Sequence, residues 1–181
     1  MNKEKEMKKT VSIIVLLASL MLLLAGCGET APTDIPDGYQ LASSEDCDYT
    51  LYVPDTWTVD SDSLYSCAYH SSGDPTSISV TAYGMEFTDT TVSDWWEGYT
   101  EQMNDAFEEY TLVSEENAKM GGMDGKKYTY TAKLADVQYN FVCTAVVKDA
   151  YVYYMLYTST ADKYEEHIDT LNEVIGYFEF K

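Results

Sequence analysis

Alternating apolar and polar positions recur between residues 49 and 158 and predict a sheet of about six to seven strands. These runs are rich in Val, Tyr, Thr and Phe, which suit a pleated, half-buried surface. The short links Ala135-Asp136 and Asp149-Ala150 predict tight hairpins between the last strands, and Gly121-Gly122-Met123-Asp124-Gly125 predicts a turn between two further strands. The predicted strands are Tyr49–Val53, Tyr65–His70, Ser77–Tyr83, Thr111–Ala118, Lys126–Leu134, Val137–Lys148 and Tyr151–Thr158.

Two segments change from the two-residue period of a strand to the period of a helix. In residues 92–110, apolar side chains recur every three or four positions, and Trp96 lies at the centre of that stripe. Residues 161–176 show a similar stripe that includes Ile168 and Leu171. One helix inserted among antiparallel strands and a second helix near the end predict an α+β fold.

The first predicted helix has an acidic face opposite its apolar stripe. Like charges four residues apart, as at Glu97 and Glu101, cost about 0.2–0.5 kcal/mol per pair, and the segment contains no lysine to offset them. Helix stability alone does not favour this pattern. The face is therefore a candidate contact for a basic partner surface, or for weak binding of divalent cations; it comprises Asp94, Glu97, Glu101, Asp105 and Glu108.

The first 27 residues have the pattern of an export signal. Four lysines lie within Met1–Lys9, the run Val11–Ala25 is almost wholly apolar, and small residues close it. The sequence Leu24-Ala25-Gly26-Cys27 resembles the lipobox of bacterial lipoproteins. That resemblance implies cleavage before Cys27 and a diacylglyceryl group on its thiol. Two acyl chains anchor a protein stably, whereas one binds reversibly.

This interpretation divides the chain into three parts. It places the mature protein, after cleavage of the signal peptide, on the outer side of the cell membrane. The apolar run of about 15 residues is shorter than the roughly 20 that a membrane-spanning helix needs. Residues 1–26 are predicted to be the signal peptide, and residues 27–46 the lipidated cysteine and a flexible acidic tether. Residues 47–181 are predicted to form one extracytoplasmic domain.

Charge restricts the partners of that domain. Four of the 11 lysines and two of the 31 acidic residues precede Cys27, so the rest carries 7 positive and 29 negative groups, a net charge of −22. This excludes a nucleic-acid role, which needs a cationic surface, and disfavours docking onto anionic lipids. The acidity favours either plain solubility in a negative envelope or attraction to a cationic partner or metal ion.

Export permits disulfides, and three cysteines follow Cys27. Cys47 and Cys67 lie near two adjacent predicted strands, where they either form a bridge or remain two thiols. By strand alternation, Cys143 shares one apolar face with Phe141 and Ala145, and it is interpreted as a buried, inert thiol. No Cys-x-x-Cys spacing occurs, so neither a redox motif nor a zinc site is indicated.

Catalytic motifs are missing from the sequence. Its two histidines, His70 and His167, adjoin no nucleophile motif, and both are interpreted as solvated surface residues. Asp94-Trp95-Trp96-Glu97 combines acids and aromatic rings as some sugar sites do, but the position of Trp96 on the helix stripe favours core packing. No cofactor is expected, and no residue is assigned as catalytic or as a metal ligand.

The segment Tyr49-Thr50-Leu51-Tyr52-Val53-Pro54-Asp55-Thr56-Trp57 resembles the opening strand and Pro-x-x-Trp turn of PsbP/Mog1-like domains. The later order of strands and helices is also similar, so the resemblance covers roughly residues 48–180. It implies an antiparallel sheet flanked by two main helices. It also implies a protein-binding or assembly role without a shared catalytic motif, and no functional residue is carried over.

Three functions are compatible with these features. The favoured one is a non-enzymatic binding or assembly module, anchored to the membrane and engaging an envelope protein. The second is a ligand- or cation-binding accessory lipoprotein, such as a sensor or carbohydrate binder. The third is a cell-wall hydrolase, which would need two facing carboxylates.

Overall fold

The computed structural model describes residues 35–62, 65–87 and 89–181, and Ile35–Lys181 forms one compact unit. The signal peptide and Cys27 lie outside the described residues, so their predicted roles stay predictions. The helices are α1 (Val92–Ala106) and α2 (Tyr164–Tyr177). The strands are β1 (Tyr39–Leu41), β2 (Tyr49–Thr50), β3 (Tyr52–Pro54), β4 (Thr58–Val59), β5 (Tyr65–Ser71), β6 (Asp74–Gly84), β7 (Glu108–Met120), β8 (Met123–Leu134), β9 (Val137–Lys148), β10 (Tyr151–Thr160) and β11 (Glu179–Phe180).

A seven-stranded antiparallel sheet dominates the fold and confirms the predicted α+β class. Its strand order is β4-β5-β6-β10-β9-β8-β7, and two small sheets pair β1 with β3 and β11 with β2. The predicted hairpins are also confirmed. Gly121-Gly122 and Ala135-Asp136 each form a two-residue turn with φ between 48° and 77°, the left-handed geometry that matches the twist of antiparallel strands.

The two helices cover opposite faces of this sheet. Side chains of a strand alternate between faces, and on β9 Phe141 and Cys143 pack in the cluster that contains α1. Val142 and Val146 pack in the other cluster, which contains α2. The sheet thus separates two hydrophobic cores. The predicted burial of Cys143 is confirmed, and burial raises the pKa of its thiol.

Helix α1 is shorter than predicted, because it ends at Ala106 and not near residue 110. Phe107 is already extended, with φ −117° and ψ 144°, and its N–H donates to the carbonyl oxygen of Met103 at 2.9 Å. The pairing of β7 with β8 begins at Glu108. Sheet pairing therefore overrides the helical period, and Glu108 belongs to a strand and not to the acidic face of the helix.

The predicted tether overlaps the folded domain. Residues 39–41 form β1 and pair with β3, and Ala42 is only 2% exposed. The side-chain amide of Gln40 donates to the carbonyl oxygens of Pro54 and Trp57, at 3.1 and 2.7 Å. Backbone pairing and these hydrogen bonds order the segment, so the prediction of a flexible stretch up to Asp46 is wrong from Tyr39 onward.

The structure contains free thiols at Cys47 and Cys67, not a bridge. The Sγ atom of Cys47 lies 4.0 Å from the hydroxyl of Ser66. Because successive side chains of a strand point to opposite faces, the neighbouring Cys67 is directed away from Cys47.

Candidate functional site

Three titratable side chains converge on the α2 side of the sheet. His70 lies near the end of β5, Asp74 starts β6 after the hairpin turn, and His167 comes from the first turn of α2. Nε2 of His167 lies 2.9 Å from Oδ2 of Asp74, and Nδ1 of His70 lies 3.4 Å from the same oxygen. The ring centroids of the two histidines are 4.5 Å apart. These residues are named the His70–Asp74–His167 cluster.

A second layer of polar groups holds the Asp74 carboxylate in place. Its Oδ1 accepts hydrogen bonds from the backbone N–H of Thr76 at 3.0 Å and from the Thr76 hydroxyl at 2.7 Å. That hydroxyl also lies 2.9 Å from the hydroxyl of Ser159 on β10. Burial alone would raise the pKa of Asp74, but the bonds from Thr76 and His167 outweigh it and lower the pKa to about 2. Asp74 is therefore a fixed, ionised acceptor.

One side of the cluster is apolar. The indole ring of Trp57, from the Pro-x-x-Trp turn, packs edge-on against His70 and His167, with centroid distances of 5.9 and 6.0 Å. Trp57 itself is buried. The side chains of Asp74, His167 and His70 are 8%, 14% and 36% exposed. Solvent therefore reaches the cluster mainly past His70.

The interpretation of His167 as a solvated surface residue is wrong, and His70, although partly exposed, turns its Nδ1 into the cluster. His167 lies 93 positions from Asp74 in the chain, and only the packing of α2 on the sheet brings the two together. Sequence reasoning missed the cluster for that reason. The available signal was His70 and Asp74 on either side of a short turn, which a hairpin places close together.

The acidic face of α1 is partly used within the fold. Oδ2 of Asp94 accepts from the N–H and the hydroxyl of Thr91 at 2.8 and 2.6 Å, and the Asp94 N–H donates to the Thr91 hydroxyl. Asp94 is therefore the partner of a capping box. Glu97, Glu101 and Asp105 are exposed, and none has an ion-pair partner in the part of the chain that the structure describes.

Helix α1 lies next to the edge strand β7 of the large sheet. Helix α1 contacts β7, the outermost strand of the sheet, whose outer edge pairs with no other described strand. Leu112 is opposite Tyr130 and so shares the α1 face of the sheet. Leu112 and Val113 are 44% and 61% exposed. Together with Glu97, Glu101 and Asp105, these two residues are named the α1–β7 surface.

Trp96 belongs to the core, which confirms its packing role. Its ring stacks on that of Tyr128 with centroids 3.8 Å apart and an interplanar angle of 2°. Trp95, at the edge of the stripe, packs against Tyr99 and Tyr154. Burial of Trp96 leaves no open aromatic platform at the centre of this segment.

Comparisons with known proteins show the fold and not the family. No protein-family profile and no curated protein match the sequence. The structure is similar to that of cyanobacterial PsbP (CyanoP) from Synechocystis sp. PCC 6803, with TM-score 0.62 and 14% identity over 87% of this chain and 99% of that one. It also resembles the Ran-binding protein Mog1p of Saccharomyces cerevisiae, with TM-score 0.57 and 9% identity over 78% and 95%.

A third similar structure is LpqN of Mycobacterium tuberculosis, which is involved in cell envelope biogenesis. The TM-score is 0.55, and 12% identity extends over 79% of this chain and 90% of that one. The chain therefore has the PsbP/Mog1 fold, as predicted. None of the helices in the described residues is long and apolar enough to cross a membrane.

Proposed function

We propose that this chain is a lipid-anchored, non-enzymatic binding module on the outer side of the cell membrane. Its α1–β7 surface engages a basic, extended segment of an envelope protein. The observation that carries the proposal is an acidic helix face without ion-pair partners among the described residues, on the helix that contacts the edge strand β7. The binding and envelope roles of the similar structures Mog1p and LpqN are consistent with it.

The distribution of lysines supports a basic partner. Lysines of β8 pair with glutamates of β7: Lys126 with Glu115 at 2.8 Å and Lys127 with Glu116 at 3.2 Å. These two glutamates are thus paired within the fold. Glu97, Glu101 and Asp105 have no such lysine among the described residues, and a partner surface carrying Lys or Arg would supply the missing charge. Complementary charge of this kind speeds association and sets the orientation of the partner.

The strand edge supports an extended partner. An unpaired edge presents a row of backbone N–H and C=O groups that an added strand can bind. β7 offers 13 residues of edge, whereas β4 at the other end of the sheet has only two. The exposed side chains of Leu112 and Val113 add apolar area to the same strand. A segment bound there would pair with β7 while its basic side chains reach α1.

Reversing the charge of Glu97, Glu101 and Asp105 to Lys is expected to reduce partner capture about tenfold or more, because like charges across an interface cost several kcal/mol. The measurement is cross-linking on intact cells, followed by mass spectrometry of the captured proteins. A matched control reverses Asp162, Glu165 and Asp169, three exposed acids beside or within α2. It makes the same change in net charge on the opposite side of the sheet.

Capture by the α1 variant at the wild-type level would reject the α1–β7 surface as the binding site. Equal loss in both would show that only overall charge matters. Circular dichroism of each variant checks that the fold is retained, which is expected because all six side chains are exposed.

The anchor is tested separately at Cys27. The Cys27→Ala variant lacks the thiol that would carry the diacylglyceryl group, so the protein is expected to leave the membrane fraction and to lose its acyl mass. Membrane fractionation and intact-mass measurement report both effects. The Cys143→Ala variant is the control, since Cys143 is buried in the domain. Continued membrane attachment of Cys27→Ala would contradict lipid anchoring at this residue.

A further inference from the structure

We propose that His70, Asp74 and His167 form a binding site for one divalent transition-metal ion of the zinc type. The ligand atoms are Nδ1 of His70, Oδ2 of Asp74 and Nε2 of His167. The inference does not depend on the α1–β7 surface, because the cluster lies on the opposite face of the sheet.

The geometry of the three atoms suits a single ion. They all lie within 4.8 Å of one another, and the two contacts to Oδ2 of Asp74 are 2.9 and 3.4 Å. Zinc–ligand bonds of about 2.0–2.2 Å place neighbouring ligands of a tetrahedron about 3.3 Å apart. Small side-chain rotations would therefore bring all three atoms to bonding distance.

The Nδ1 atom of His70 needs a partner. It is buried from solvent and makes no hydrogen bond within the described structure, although Oδ2 of Asp74 is 3.4 Å away. A buried polar atom without a hydrogen bond is costly. A metal ion between His70 and Asp74 would remove that cost by accepting the nitrogen lone pair.

The surroundings match those of known metal sites. The groups that hold Oδ1 of Asp74, namely the N–H and hydroxyl of Thr76, leave Oδ2 directed at the histidines. Such outer hydrogen bonds orient a ligating carboxylate. Trp57 forms an apolar wall against both rings, which limits solvent on one side and lowers the local dielectric constant.

The donor set selects the class of ion. Two imidazole nitrogens and one carboxylate oxygen suit Zn²⁺, Cu²⁺, Ni²⁺ or Fe²⁺, whereas Ca²⁺ and Mg²⁺ prefer oxygen ligands. Three protein ligands leave at least one coordination position. That position would face solvent on the side of His70, the most exposed of the three residues.

The test uses the full-length protein in detergent micelles and ZnCl₂ as the probe. Excess CaCl₂ is present to saturate surface carboxylates that would otherwise bind zinc nonspecifically. Isothermal titration calorimetry is expected to show one zinc ion per chain, and zinc should raise the melting temperature. The His70→Gln variant should bind zinc about tenfold or more weakly. It removes the Nδ1 atom, which makes no hydrogen bond to any described residue, and leaves the contact between Asp74 and His167 in place.

Tyr69→Gln is the matched control, because Tyr69 is the adjacent, exposed residue of β5 on the opposite face. Its zinc affinity should equal that of the wild type. Absence of zinc binding by the wild type, or equal affinity in the His70→Gln variant, would overturn the proposal.

Quenching by Cu²⁺ gives an independent readout of the location. In the Trp95→Phe/Trp96→Phe variant, Trp57 is the remaining tryptophan of the chain's three, and it packs against both histidines. Stoichiometric Cu²⁺ is expected to quench the fluorescence of Trp57. Introducing the His70→Gln substitution into the same variant should remove the quenching. Unchanged fluorescence in the folded protein would place any bound metal elsewhere.

Discussion

The Trp96→Ala variant is expected to lose about 3–5 kcal/mol of unfolding free energy, the range for large aromatic residues removed from a core. Trp96 is 6% exposed and stacks on Tyr128, and it also contacts Tyr99 and Tyr130. It is one of the two buried side chains of α1, together with Val92. Its removal would leave a cavity that rigid strands cannot close. Urea denaturation followed by circular dichroism measures the loss.

Trp95→Ala provides the comparison for that variant. The Trp95→Ala substitution removes the same side-chain volume at the neighbouring position. The Trp95 side chain, however, is only half-buried, and its ring contacts are with Tyr99 and Tyr154. Its cost should be clearly smaller. Equal losses in the two variants would mean that Trp96 does not anchor the helix as the structure indicates.

Gly125→Ala is expected to destabilise the domain by about 3 kcal/mol, at the upper end of the usual cost of overpacking. A Cβ atom at this position would lie 2.0 Å from the carbonyl oxygen of Ala145 and 2.7 Å from Cγ1 of Val146. The oxygen belongs to the backbone of β9, a central strand. Room can be made only by separating β8 from β9, which breaks part of their hydrogen-bond ladder.

The Gly98→Ala variant is the control for this second prediction. Gly98 lies in the interior of α1, is exposed, and has no described atom within 4 Å of an added Cβ. Alanine should therefore stabilise the helix there by about 0.5–1 kcal/mol. Thermal melts of both variants measure the opposite signs. Similar stability of Gly125→Ala and the wild type would show that β8 and β9 are less closely packed than described.

The strands of the sheet were predictable because their signal is local. Alternation along residues 137–147 correctly placed Phe141, Cys143 and Ala145 on one face, and the turns Gly121-Gly122 and Ala135-Asp136 were visible as turn chemistry. The end of α1 was not predictable from its period. The helical pattern continues to Tyr110, but pairing of β7 with β8 begins two residues earlier, at Glu108.

The candidate sites show the same limit. The exposure of Glu97, Glu101 and Asp105 followed from helical periodicity, because all three lie on one element. The His70–Asp74–His167 cluster joins a hairpin and a helix separated by 93 positions. No spacing rule links such residues, since their distance depends on how α2 packs on the sheet.

The pairing of β6 with β10 determines how the chain can reach this fold. Every other neighbouring pair in the seven-stranded sheet joins strands that follow each other in the chain, but here Ser77 meets Thr158. The hairpins can form early, whereas this seam must close a long loop, and non-local contacts of that kind slow folding. Until residues 151–160 are in place, β6 has an open edge on which unfinished chains can aggregate.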